Sequence, residues 1–225
     1  MRAICLVSLG ILCGLVAFGE PNDTPAGASL VELDRVTCGT LSPQWDSVDW
    51  WKVYVPRETE ILVFIDGIQG NDIDLYFYDA GLNLGARSTG GGEDEVVYGR
   101  VPKGWYYIKV QACYTYRAPT NYYLAVLTPE VTGYLRGRAD FDLYERYMRS
   151  GCTYWIFITD HSDLFDPDLF LAYRDEVLAA SQNEGNIDVI KWTPGASGRY
   201  VIAVGSYRGS GYYYLFIASR YSPCR

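Results

Sequence analysis

The only histidine, His161, lies in Thr159-Asp160-His161-Ser162-Asp163, which brings together a nucleophile, a base and an orienting acid. No G-x-S-x-G elbow accompanies it, so the stretch reads most simply as a polar loop. Ser88-Thr89-Gly90-Gly91-Gly92 has the glycines of a phosphate loop but not its Gly-Lys-Ser/Thr ending or a helix to follow. Asp72 and Asp74 are paired carboxylates, and at i and i+2 on a strand they share a face. Glycosidase chemistry needs such groups about 5–9 Å apart, a distance that sequence spacing does not set. The stronger pattern is rich in oxygen: Glu20-Pro21-Asn22-Asp23, then Asp46-Ser47-Val48-Asp49 some two dozen residues later. A hard cation such as Ca²⁺ takes about six to eight oxygens at roughly 2.3–2.6 Å from such groups. The same residues are also turn formers, and at this level both readings stay open.

The elements that must position these groups are strands. The chain of 225 residues is 49% hydrophobic, with 21 Tyr, 8 Phe and 6 Trp beside many Val and Ile, a bias towards β structure. Its 27 acidic against 19 basic side chains give a net charge of −8, which excludes a nucleic-acid binder working through a basic surface. Arg2, the apolar run Ala3 to Phe18 and the small pair Ala17 and Gly19 predict a secretory signal peptide over residues 1–19. No later stretch is apolar enough to span a bilayer, so the expected product is secreted, extracellular or periplasmic. Cys5 and Cys13 would leave with the signal, and Cys38, Cys113, Cys152 and Cys224 would remain in an oxidising compartment.

The sequence repeats at a spacing of 94. Asp72-Ile73-Asp74-Leu75 returns as Asp166-Pro167-Asp168-Leu169, and the same offset aligns Leu41 with Leu135, Asp46 with Asp140, Asp66 with Asp160, Asp94 with Asp188 and Tyr106 with Tyr200. Later the offset is 91, where Tyr123-Leu124 meets Tyr214-Leu215. This predicts two tandem units, 20–128 and 129–225, joined at Thr128-Pro129-Glu130. Short alternating segments such as Trp51–Val55 and Trp105–Val110, punctuated by Gly, Asn and Asp, predict an antiparallel β-sandwich in each. Helix formers over Asp175–Ser181 are opposed by Gly81, Asn83 and Gly85 in the first copy, so that stretch is expected to be a loop or a single turn. Four cysteines allow three pairings, and the strand scheme favours Cys38 with Cys113 and Cys152 with Cys224, one bridge per unit.

Alternation also turns about every other ring of Tyr106-Tyr107, Tyr122-Tyr123 and Tyr212-Tyr213-Tyr214 away from the core. Exposed Tyr and Trp stack on sugars or pack against peptide at little entropic cost; they also serve cross-strand pairing and contacts between domains.

Glu20-Pro21-Asn22-Asp23-Thr24-Pro25, Gly39-Thr40-Leu41, Asp46 to Val53, Asp72 to Tyr76 and Pro102 to Val110, in that order, resemble the bacterial pre-peptidase C-terminal domain, a family that includes the collagen-binding domains of clostridial collagenases. The resemblance covers about residues 20 to 127. It implies jelly-roll-like sandwiches that are usually appended to secreted peptidases and serve attachment, secretion or stability instead of catalysis. It also implies a calcium site from the E-x-N-D segment and the D-x-x-D turn, which here are Glu20, Asn22, Asp23, Asp46 and Asp49. The second copy lacks the E-x-N-D entry, and at the turn it reads Asp140-Phe141-Asp142-Leu143, with Leu143 opposite Asp49; no metal site is expected there. The sequence therefore predicts an exported, non-enzymatic, calcium-stabilised module that attaches to extracellular protein or polysaccharide. The rivals are a ligand-free structural or secretion-assisting module and a small secreted hydrolase.

Overall fold

Alternation of apolar and polar residues over Val48–Val55, Ile73–Tyr78 and Gly104–Ala112 gives each segment one apolar face, and that face is buried in the structure. The computed structural model describes residues 21–42, 46–67, 71–92, 94–113 and 119–221, and it is all-β apart from one 3-10 turn at Pro25–Gly27. The expected signal peptide and Glu20 lie outside the described residues.

One sheet runs in the order β1 (Ser29–Leu30), β3 (Val48–Val55), β8 (Gly104–Ala112), β5 (Ile73–Tyr78), β6 (Leu84–Ser88). Facing it is a sheet of β2 (Thr37–Leu41), β9 (Thr120–Leu127), β4 (Thr59–Gly67) and β7 (Asp94–Val101). Val53, Ile65, Leu75, Ile108 and Leu124 fill the space between them. The second half repeats the arrangement. Its sheets are β10 (Val131–Leu135), β17 (Gly211–Arg220), β12 (Thr153–Thr159), β15 (Ile187–Trp192) and β11 (Phe141–Met148), β16 (Gly198–Arg208), β13 (Asp166–Tyr173), β14 (Glu176–Ser181). Strand for strand the order matches that of β2 to β9, and Ile156, Leu169, Ile202 and Leu215 form a core of its own. Except for the short parallel pair of β1 with β3, the strand pairings are antiparallel.

Strand register corrects the ungapped repeat. Asp49 is paired with Val110 and Asp142 with Val204; since Val110 and Val204 are equivalent, Asp142 and not Leu143 stands where Asp49 does. Leu143 is 67% exposed on the opposite face. By the same test Val63 matches Ile156, paired with Val97 and Ile190 respectively. Glu95, beside Ile65, matches Asp188, beside Ile158. A one-residue slip reverses which face a side chain occupies, so in these strands the equivalences at 94 given by sequence alone are off by one.

The stretch Asp175–Ser181 also differs from expectation. Glu176–Ser181 is a strand, because Val177 to Ala180 lie along the edge of β13, and Arg174 and Asp175 turn the hairpin with φ of 51° and 66°. Such paired positive values belong to the tight turn that matches strand twist.

The cysteine pairings fail. Cys113 and Cys152 are both free. Cys38 is disulfide-bonded, but not to Cys113, and Cys224 lies outside the described residues. Cys38 sits opposite Tyr123 in one sheet, whereas Cys113 follows β8 in the other and donates its N–H to Asp72. Cys152 is buried in the second core, away from solvent and from oxidant.

Ile61 to Ile65 read as a continuous apolar run because both faces of β4 are covered. Leu62 and Phe64 point away from the first core onto Trp155, Phe157 and Phe216 of the second sandwich. The two sandwiches thus stack through β4 and β12 into four layers. Lys191 Nζ lies 2.7 Å from Asp66, which also accepts a hydrogen bond from Trp155 Nε1.

Candidate functional site

The first candidate lies where the chain enters the first sandwich. Asn22 accepts the N–H of Trp50 on its main-chain oxygen (2.7 Å) and donates from Nδ2 to Asp49 Oδ1 (2.8 Å). Asp49 is 1% exposed, and its other oxygen takes the Tyr122 hydroxyl at 2.5 Å. Tyr122 in turn accepts Trp51 Nε1 (2.8 Å), and burial beside Asp49 raises its hydroxyl well above the ordinary tyrosine range. Asp23 follows with Oδ1 buried and without a hydrogen-bond partner. Asp46 pairs with Ser42 through its main chain. The structure therefore draws Asn22 and Asp49 into direct contact. Among the described residues no three His, Cys, Asp or Glu side chains stand in metal-holding geometry; Glu20 is not among them.

Tyr122 was not singled out from the sequence as a partner of Asp49, although Gly39 is a signal for it. Its ring lies flat against Gly39, where an added Cβ would meet it at 2.1 Å. The second sandwich repeats the device: Tyr213 covers Gly133, donates to Asp142 (2.6 Å) and shares a hydrogen bond with Tyr144 (2.5 Å).

The second candidate is the outer face of the five-stranded sheet. Period-two alternation turns Trp50, Lys52 and Tyr54 of β3 outwards, with Trp105, Tyr107 and Lys109 of β8 and Tyr76 and Tyr78 of β5. Register places Tyr54 beside Trp105, Lys52 beside Tyr107, and Lys109 between Trp50 and Tyr76. Ring centroids of Tyr54 and Trp105, and of Trp50 and Tyr78, are 5.2 Å apart, and Lys109 Nζ lies 3.9 Å over the Tyr76 ring. Trp105 is 45% and Tyr54 39% exposed. Of the tyrosine runs noted in the sequence, Tyr107 contributes here, Tyr123 and Tyr214 go to the contact between the sandwiches, and Tyr106, Tyr122 and Tyr213 are core.

His161 is in neither place. Its Nε2 is 3.1 Å from Glu60, with its ring between Tyr98 and Tyr214, so it bridges the two sandwiches.

The segment that carries the aromatic face also carries a family likeness. Residues 47–112, from the D-x-x-D turn to the end of β8, match the bacterial pre-peptidase C-terminal domain. The likeness lies within the first sandwich. The match ends before the second sandwich begins. Among solved structures, the pre-peptidase C-terminal domain of a Bacillus anthracis collagenase is 19% identical, covers 44% of this chain and 93% of its own, and has a TM-score of 0.40. The M60 catalytic domain of Clostridium perfringens ZmpB with its CBM51-1 and CBM51-2 domains is 4% identical over 77% of this chain and 33% of its own, with a TM-score of 0.28. A turret protein of Sulfolobus turreted icosahedral virus is 10% identical over 82% and 97%, with a TM-score of 0.25. No curated protein sequence matches the chain. No helix among the described residues is long and apolar enough to cross a membrane.

Proposed function

We propose that the protein is an exported binding module of two tandem domains, 20–128 and 129–225, that holds calcium in the first and adheres to extracellular protein or polysaccharide through its aromatic sheet face. The observation that carries this reading is the outward cluster Trp50, Tyr54, Tyr76, Tyr78, Trp105 and Tyr107 on one sheet. Flat rings on a rigid sheet offer stacking area with little side-chain entropy to lose. Lys52 and Lys109 add hydrogen-bond donors for carbonyl or hydroxyl oxygens.

Calcium fits the donor set in kind. The buried, unpartnered Asp23 Oδ1 lies next in sequence to Asn22, whose own Oδ1 is left by its donation to Asp49 from Nδ2, and these are hard oxygens. Asn22, Asp23, Asp46 and Asp49, with Glu20, would hold the ion, which would neutralise the carboxylates and tie the N-terminal segment to β3. A second reading, a structural module without metal, is favoured by the hydrogen bonds that already engage both oxygens of Asp49.

Cosedimentation of the mature chain with insoluble polysaccharides and fibrous protein tests the adhesive face. Trp105→Ala with Tyr54→Ala is expected to reduce binding at least about tenfold, a loss of about 1.4 kcal/mol, at unchanged melting temperature. Equal binding by the double variant would refute it. Melting with calcium and with chelator tests the metal, because a ligand of the native state must raise stability; identical melts would leave the structural reading.

A further inference from the structure

The D-x-D-L stretch of the second sandwich differs electrostatically from its counterpart in the first. Asp166 and Asp168 open β13 and, with Gln182, Glu184 and Tyr207, line an open cavity of about 290 Å³. Asp166 is 4% exposed, yet its Oδ1 has no hydrogen-bond partner. Asp168 accepts Gln182 Nε2 at 3.1 Å. Two more buried carboxylates stand nearby: Asp188 (1% exposed) and Asp160 (fully buried), each with an unpartnered Oδ2. Burial holds the carboxyls of Asp168, Asp188 and Asp160 above the usual range, and the charge of Asp166 adds to this in all three.

His161, next to Asp160 in sequence, favours the charged form of that one carboxyl, and no Lys or Arg among the described residues forms an ion pair with any of the four. Arg208, across from Asp166 in register, donates to the Asp163 carbonyl at 3.2 Å, and Arg138 donates to the Tyr207 carbonyl at 2.6 Å. In the first sandwich the same frame is satisfied internally. Asp72 accepts the Gly92 N–H, Asp74 accepts the Tyr76 hydroxyl and lies near Lys109, and Glu95 takes the Ser88 hydroxyl. A buried carboxylate with an idle oxygen is costly unless positive charge reaches it.

The shape of the site selects the kind of cation. The carboxylates do not converge in metal-holding geometry, the cavity is far larger than a bare ion, and Tyr207 forms part of its lining. Carboxylates spread around an open cavity suit a guanidinium or alkylammonium group, which hydrogen-bonds several acceptors at once, while the Tyr207 ring already carries the Arg138 guanidinium 5.1 Å from its centroid. We propose that this cavity binds an organic cation of that class, either a free amine or an Arg or Lys side chain of a partner. The proposal does not depend on the adhesive face or on calcium in the first domain.

Isothermal titration of the mature chain in chelator with agmatine, with spermidine and with a short Arg-containing peptide tests it, with urea as the neutral control. One equivalent of cation is expected to bind, at least tenfold more weakly to Asp166→Asn, and unchanged to Asp72→Asn, the equivalent change in the first sandwich. Tighter binding of the peptide than of agmatine would identify a protein partner as the source; equal or weaker binding would identify a free amine. Absence of organic-cation binding to the wild-type chain would overturn the proposal, as would calcium binding that Asp166→Asn abolishes while agmatine has no effect. Should Asp166→Asn fail to fold, Asp168→Asn at the same cavity gives the same readout, and undiminished agmatine binding to it would likewise overturn the assignment.

Discussion

Tyr122 links three elements through one hydroxyl, which donates to Asp49 and accepts from Trp51, while its ring closes over Gly39. Removing the hydroxyl leaves a buried carboxylate oxygen and an indole N–H without this partner, and an orphaned buried polar group costs about 1–3 kcal/mol. Tyr122→Phe is therefore expected to lose about that much in urea unfolding; a loss below about 0.5 kcal/mol would show that water replaces the hydroxyl. Asp188 makes the opposite case. Burial raises its carboxyl above the ordinary value while Ser181 and the Asn183 N–H hold its Oδ1. A raised native pKa means that the folded chain keeps this proton to higher pH than the unfolded chain does. Its stabilisation is complete below the unfolded value near 3.8 and is lost as pH rises through the folded one. Asp188→Asn is thus expected to melt higher than the wild type at pH 7 in chelator, with the difference shrinking towards pH 4. A gap that is constant with pH would count against an ionised Asp188.

Among the elements, the hairpin of β13 and β14 shows how a strand can form against local preference. Glu176 to Ser181 would suit a helix, but the edge of β13 offers main-chain partners, and Arg174 and Asp175 take up positive φ to deliver them. Asp tolerates that conformation better than Arg does, and Asn and Gly better still. Replacing the pair by Asn-Gly is expected to raise stability by a few tenths to about 1 kcal/mol, read as a higher melting temperature. No gain would mean that the turn is held by contacts beyond its own backbone. β3 shows the complementary point: one alternating strand supplies Asp49, Trp51 and Val53 to the interior and Trp50, Lys52 and Tyr54 to the outer face. Candidate metal site and candidate binding face are therefore coupled through a single backbone.

At the scale of the whole molecule, the contact between the sandwiches has the character of a core. Leu62, Phe64, Trp155, Phe157 and Phe216 are at most 4% exposed, and Asp66 is held at the edge of this layer by Trp155 and Lys191. Such a layer is expected to make the two halves unfold together. Calorimetry of the wild type should give one transition, and Phe157→Asp, which forces a charge into the layer, should give two. Two transitions in the wild type would mean that each half is stabilised by its own core alone.

Alternating residues, turn punctuation and the D-x-D-L repeat made an all-β chain of repeated units legible without coordinates, because a strand's period of two and its turn chemistry are local properties. Asn22 and Asp49, two residues of the oxygen-rich pattern, meet through an amide N–H donated to a carboxylate, and Trp105 and Tyr107 belong to alternation visible in the sequence. Register was not legible. Whether Asp142 or Leu143 matches Asp49 depends on which residue faces Val204 across the strand pair, and a cross-strand partner is set by packing far along the chain. The failed cysteine pairings have the same origin, since Cys38 and Cys113 belong to different sheets. So does the group of Asp160, Asp166 and Asp188: each aspartate is unremarkable in its own segment, and only the fold buries them near one another with oxygens left idle.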